Sequence, residues 1–182
     1  GLSRSPRVAP GFLAFAGPRV ASSGLALREA LPADAAFIAA VYASVREEEL
    51  RPVPWTDEQK RAFTDWQSAQ QEAHYALHYP QAERLVVLAG EAIGRIYVDT
   101  TASEVRLMEV TLLPAWRNRG LGSALMASLL DYADALRREA TLHVEPFNPA
   151  RRMYLRLGFE VRETRGIYEF LARPVPQLKV TS

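Results

Sequence analysis

Glu109-Val-Thr-Leu-Leu-Pro-Ala-Trp-Arg-Asn-Arg-Gly-Leu-Gly-Ser-Ala-Leu-Met126 reads as a strand that runs into a basic, glycine-containing loop and straight on into a helix. Arg117 and Arg119 carry permanent positive charge, and Gly120 and Gly122 let the backbone approach a ligand closely. The first N–H groups of the following helix lack intrahelical acceptors and point at the same place. The spacing Arg-x-x-Gly-x-Gly therefore suits the grip of a diphosphate. Other phosphate loops ask for other residues. A Walker loop needs a Gly-Lys pair, which is absent, and the place of the third glycine in a dinucleotide fingerprint is held by Leu125.

A second informative stretch runs from Leu142 to Phe159. A short strand over 141–145 leads to Asn148 as a helix N-cap, Pro149 at the first helical position, a helix to Leu157 and Gly158 as its stop. Together the two stretches resemble the GNAT superfamily of N-acetyltransferases. The first matches the family's Gln/Arg-x-x-Gly-x-Gly/Ala loop after an apolar-x-Pro step, here Leu112-Leu113-Pro114. The second matches its Asn-x-x-Ala-x-x-x-Tyr-x-x-x-Gly-Phe motif at Asn148, Ala150, Tyr154, Gly158 and Phe159, with the Asn-to-Ala gap one residue shorter.

The resemblance implies an α/β (α+β) fold: a mixed, mostly antiparallel sheet flanked by helices, with two central parallel strands, 105–113 and 141–145, that splay apart. It implies acetyl-CoA as co-substrate and direct transfer of the acetyl group to a primary amine of a small molecule or peptide. The diphosphate would lie on Arg117, Asn118, Arg119, Gly120, Leu121, Gly122 and Ser123. Pantetheine would run along Thr111, Leu112 and Leu113 on one strand and Val144 on the other, with Asn148 and Tyr154 beside it. A bulge near Leu112 would aim a backbone N–H at the thioester carbonyl. Tyr154 is the candidate acid. Glu109 is the candidate base, with Glu145 and His143 on the facing strand as alternatives, and His143 fits a structural role better.

The rest of the chain agrees with this order. A strand over 25–30 precedes a helix over 33–49, with Ile38, Val41, Tyr42 and Val45 at i, i+3, i+4 and i+7. Thr56-x-x-Gln59 reads as a capping box opening a second helix, whose Ala62, Trp66, Ala69, Ala73 and Leu77 share one apolar face. Strands over 84–88 and 92–100 flank a turn at Ala89-Gly90-Glu91, and a closing hairpin turns at Arg165-Gly166. Leu121, Leu125, Leu129, Tyr132 and Leu136 stripe the helix after the loop. Residues 1–24 carry arginines and no acid and are broken by Pro and Gly, so an extended or disordered leader is expected there. The domain is expected to span 25–173, with a proline-rich tail over 174–182.

Composition excludes several chemistries. The 182 residues carry a net charge of +1, which offers no bulk field for nucleic acid. There is no cysteine, so disulfides, thiolate metal sites and a cysteine-bound acyl group are impossible. No apolar run approaches membrane-spanning length. A cytoplasmic monomer or homodimer without a metal is the expectation. His74 and His78 have the i, i+4 spacing of a zinc pair, but no third ligand is evident, so a surface pair is favoured. Glu47, Glu48 and Glu49 with Trp55, Phe63 and Trp66 are candidates to meet the amine. The alternative function is a coenzyme-binding sensor on the same fold, without turnover.

Overall fold

Alternation builds the centre of the molecule. In β3 (Ala92–Thr100) and β4 (Glu104–Leu112), Ile96, Val98, Val105 and Leu107 point into one apolar core, while Arg95, Tyr97, Arg106 and Glu109 point the other way. These strands belong to a seven-stranded sheet in the order β1-β2-β3-β4-β5-β7-β6. The other strands are β1 (Ala26–Glu29), β2 (Glu83–Leu88), β5 (Glu139–Val144), β6 (Glu160–Arg165) and β7 (Tyr168–Arg173). All neighbours pair antiparallel except β4 with β5. The computed structural model describes residues 11–177.

Helices cover both faces. On the core side lie α1 (Phe12–Val20), α4 (Leu121–Ala135) and α5 (Arg151–Arg156); on the other lie α2 (Ala35–Leu50) and α3 (Asp57–His78). Leu125, Leu129 and Tyr132 of the predicted α4 stripe are buried, as are Ile38, Val41 and Tyr42 of α2, whereas Val45 is exposed. The capping box at Thr56 is present in both directions, with Gln59 N–H donating to Thr56 Oγ1 at 3.1 Å and Thr56 N–H donating to Gln59 Oε1 at 3.0 Å.

Two expectations need correction. The leader assigned to 1–24 is helical over Phe12–Val20, and its Phe12, Ala16 and Val20 are fully buried. The cause lies far along the chain: Glu83 of β2 accepts from the N–H groups of Phe12 at 2.7 Å and Leu13 at 3.1 Å, neutralising the positive end of α1. Tyr132 of α4 then packs edge-on against Phe12 and tilted against Phe15. Pro18 stands in the last turn, where it removes one hydrogen bond without stopping the helix. Residues 1–10 and 178–182 lie outside the described residues.

The second correction concerns α3. Its predicted apolar stripe faces solvent, with Trp66 60% and Leu77 74% exposed. The inward side is polar instead: Thr64 and Ser68 are buried, and Gln71, Glu72 and Tyr75 reach the sheet. A buried Arg95 on β3 needs oxygen acceptors, and satisfying it outweighs burying alanines. Phe12→Ala should cost about 3–5 kcal/mol, measured as a lowered denaturant midpoint; a loss below about 1 kcal/mol would mean that α1 is not packed.

Candidate active site

The parallel pairing of β4 with β5 is short. It runs from Glu104 opposite Glu139 to Leu107 opposite Leu142 and then stops. Beyond it, β4 continues to Leu112 against β3, and β5 continues through His143 and Val144 against β7. The facing edges from Met108 and from His143 therefore have no sheet partner among the described residues. Leu113 N–H donates to Ile93 O at 2.8 Å, so strand alternation turns the backbone groups of Leu112 and Val110 into the gap. Thr111 is turned the other way, and any side chain at Gly94 would collide with its carbonyl oxygen. Leu112, rather than Thr111, thus offers its backbone to the gap.

The predicted bulge is displaced from Leu112. The β3–β4 register shifts between Tyr97 and Val98, which oppose Glu109 and Leu107, so Met108 is the extra residue. That insertion settles the face of Glu109, which turns toward α3. Its Oε1 accepts from Gln71 Nε2 at 3.0 Å and from the Tyr75 hydroxyl at 2.9 Å, and its Oε2 lies 3.8 Å from Arg95 Nη2. Arg95, only 2% exposed, also donates to Glu72 Oε1 and Gln71 Oε1, each at 3.0 Å. Glu72 is shared further with Arg84 at 3.2 Å and with the Tyr97 hydroxyl at 2.9 Å. Burial and the charge on Glu109 push the Tyr75 hydroxyl far above its ordinary pKa, so it stays a donor.

Past Leu113 the chain makes a single 3-10 turn over Pro114–Trp116 and enters the glycine loop. Asn118 (φ 61°) and Gly120 (φ 77°) are left-handed, and Gly120 caps α4. The first helical bond there is Ala124 N–H to Gly120 O at 3.1 Å, which leaves the N–H groups of Leu121, Gly122 and Ser123 without intrahelical acceptors. A Cβ at Gly120 or Gly122 would meet nothing within 4 Å, so the approach is open. Arg119 lies over the Trp116 ring at 4.9 Å. Arg117 bends back: its Nε donates to Leu112 O at 2.9 Å, and its Nη2 reaches Ser44 Oγ at 3.4 Å. The Arg119 guanidinium, three N–H groups without intrahelical acceptors and open space fit an anionic diphosphate, while Arg117 is turned toward Leu112 and Ser44.

On the facing side α5 presents Tyr154. The Arg151 guanidinium grips Glu169 of β7 with two bonds, at 2.6 and 3.1 Å, and fixes the helix one turn before the tyrosine. Gly158 (φ 95°) ends α5, with Phe159 N–H returning to Tyr154 O at 3.1 Å. The Tyr154 side chain is buried and its ring meets Phe159 edge-on, while its hydroxyl has no hydrogen-bond partner among the described residues. Burial, and then the charge on Glu109, push its pKa up to about 12. Asn148 is not the N-cap: its Oδ1 accepts from Ala150 N–H at 2.9 Å, forming a turn that precedes a helix starting at Arg151.

The remaining candidates spread out. His143 packs on Phe170 at the rim of the gap, and its pKa is lowered by burial and by Arg106. Glu47, Glu48 and Glu49 are exposed on α2, and the exposed His74 and His78 of α3 meet with their rings tilted, centroids 4.5 Å apart. A hollow of about 880 Å³ between α2 and α3 is lined by alanines such as Ala35, Ala39, Ala43 and Ala69 together with Arg61, Asp65, Glu72 and Arg84, and by none of the gap residues. The residues that sequence reasoning missed are Gln71, Glu72, Tyr75 and Arg95. Arg95, a charge inside the run from Ile93 to Val98, was the available signal.

Residues 39–159 match the family model described as Acetyltransferase (GNAT) family. No curated relative matches the chain. Among solved structures, the chain is similar to a PaiA N-acetyltransferase from Thermoplasma acidophilum in complex with coenzyme A, at 16% identity and a TM-score of 0.61, over 82% of this chain and 98% of that one. An acetyltransferase from Thermus thermophilus gives 19% identity and a TM-score of 0.60, over 83% and 97%. A GCN5-related N-acetyltransferase from Rhodopseudomonas palustris gives 21% and 0.58, over 82% and 95%. These likenesses concern the fold. Arg95→Met, which strips Glu72 and Glu109 of their buried cation, should destabilise the protein by about 3–5 kcal/mol, read from chemical denaturation; an unchanged midpoint would refute the network.

Proposed function

This chain belongs to the GNAT acetyltransferase family, and on that premise we propose that it moves an acetyl group from acetyl-CoA to a primary amine by direct attack within a ternary complex. The observation that carries the proposal is the placing of Glu109 and Tyr154 beside a gap whose outer end meets the glycine loop. The groups around the gap suit the co-substrate: a diphosphate needs cations and free N–H donors, and an amide chain needs unpaired strand edges. Arg119 and the N–H groups of Leu121, Gly122 and Ser123 would hold the diphosphate. Leu112 through its N–H, its carbonyl being taken by Arg117, and Val144 across the gap would hold pantetheine. When bound, acetyl-CoA supplies the thioester carbonyl that the amine attacks.

The chain's own residues then handle protons. An amine with a pKa near ~10.4 costs about 4–5 kcal/mol to present deprotonated at neutral pH, so a base matters. Glu109 takes that proton on Oε2, since Oε1 already accepts two hydrogen bonds. A nitrogen–carbon bond forms and the carbon–sulfur bond breaks. The nitrogen loses a second proton as the amide forms, the sulfur gains one from Tyr154, and one proton is released overall. If the coenzyme thiol resembles cysteine, with a pKa near ~8.5, protonating it at neutral pH is already favourable by about 2 kcal/mol, so the acid contributes less than the base.

Thiol release from acetyl-CoA should be stimulated by at least one amine in a panel; slow release that no amine accelerates would contradict transfer. Glu109→Gln should lower kcat by roughly 100-fold or more, and Tyr154→Phe by less than about tenfold, with coenzyme A binding intact in calorimetry. Unchanged turnover in either variant would remove that residue's role. Arg119→Glu should weaken coenzyme A by roughly tenfold or more, as loss of a charge-assisted contact predicts, while pantetheine without the diphosphate binds equally to both proteins. Equal loss for pantetheine would place the diphosphate elsewhere.

A further inference from the structure

Where β4 parts from β5, the α3 face carries a hollow of about 150 Å³ walled by His74, Tyr75, Tyr79, Arg106, Met108 and His143. Tyr75 is shared between this hollow and Glu109, whose carboxylate it bonds at 2.9 Å. A molecule seated there therefore lies one side chain away from the proposed base. At ~30 Å³ per water the hollow holds about five waters, which suits a small acceptor or a single end group.

The bulge at Met108 gives this hollow its electrical character. Arg106 and Glu109 stand three residues apart, which in a regular strand would put them on opposite faces. The extra residue brings both to the α3 face, where Arg106 lines the hollow and Glu109 meets Tyr75. A cation and an anion thus look onto the same side of the sheet, roughly 7 Å apart along the strand by the usual rise of two residue steps.

Arg106 is braced from below. Its Nη2 meets Glu104 Oε1 at 3.1 Å, and the other oxygen of Glu104 accepts from Thr141 Oγ1 at 2.6 Å. Its Nε is buried without a hydrogen-bond partner among the described residues. Asp99 opposes it across β3, and the charge on Arg106 counters part of the rise that burial gives the Asp99 pKa. At the rim the His143 pKa is lowered by burial and then by Arg106 and Arg165, against Glu104 and Glu163, which raise it. The negative end lies at Glu109, where the amine must shed its proton.

We propose that the acceptor is a small zwitterionic amine, an amino acid or other amino carboxylate, whose carboxylate meets Arg106 in the hollow while its nitrogen projects past Tyr75 toward Glu109. This rests on the acetyl-transfer proposal above and narrows its substrate class. A polyamine would set a second ammonium group against Arg106, an unfavourable like-charge contact.

The test compares thiol release with amino acids, with their carboxamides, which keep amine and skeleton but lose one charge, and with cadaverine beside lysine. The acids should exceed the carboxamides by roughly ten- to hundredfold in kcat/KM, mainly through KM, as a hydrogen-bonded charge predicts. Arg106→Gln should bring the acid-to-amide ratio near one, and Arg106→Glu should turn preference toward the diamine. Equal rates for acids and amides in the unaltered protein, or a ratio that survives Arg106→Gln, would overturn the proposal while leaving acetyl transfer standing. Thiol release that no amine stimulates would overturn both. The comparison on the unaltered protein decides even if the variants fail to fold.

Discussion

Two backbone edges left unpaired in the middle of a sheet are the constraint from which the rest follows. Main-chain N–H and C=O groups removed from water need partners, so a gap that opens after Leu107 and Leu142 demands either solvent or a ligand rich in amides. The sheet tolerates the gap because each parted strand keeps its other neighbour: β4 holds β3 to Leu112, and β5 holds β7 to Val144. Helices then bring chemistry to the rim. α4 begins at the outer end of the gap with free N–H donors, α5 brings Tyr154 from one side, and α3 fixes Glu109 from the other.

The polar underside of α3 explains why that carboxylate holds one orientation. Arg95 is buried, and Glu72, Gln71 and Glu109 surround it with oxygen. Removing a charge from water costs several kcal/mol unless its hydrogen bonds are replaced, so the cluster resists rearrangement once formed. The same requirement turns α3 over, leaving Trp66 and Leu77 in solvent. Local amphipathicity and long-range charge pairing disagree along this helix, and the charge pairing wins.

What was legible in the sequence depended on how local its cause was. The glycine loop, the Thr56 capping box, the turn at Gly90 and the stop at Gly158 are set by neighbours within a few residues, and all appear where their spacing puts them. The mixed, mostly antiparallel character of the sheet followed from the family resemblance. Helix α1 was hidden because its cap, Glu83, stands 71 residues away. The bulge lies away from its expected place because nothing in the residues near Leu112 distinguishes an inserted residue at Met108 from a regular strand. Tyr154 and Glu109 were nameable from motif and position, but Gln71, Tyr75 and Arg95 acquire meaning only when α3 lies across β3 and β4.

The gap itself is most directly tested by amide hydrogen exchange on the intact protein with and without coenzyme A. The account predicts slowed exchange at Val110 and Leu112, at Val144, and at Leu121 to Ser123, with little change on β1 or β6. Unaltered exchange at Val110 and Leu112 under saturating coenzyme A would contradict it, because the parted strands would then not be where the ligand lies.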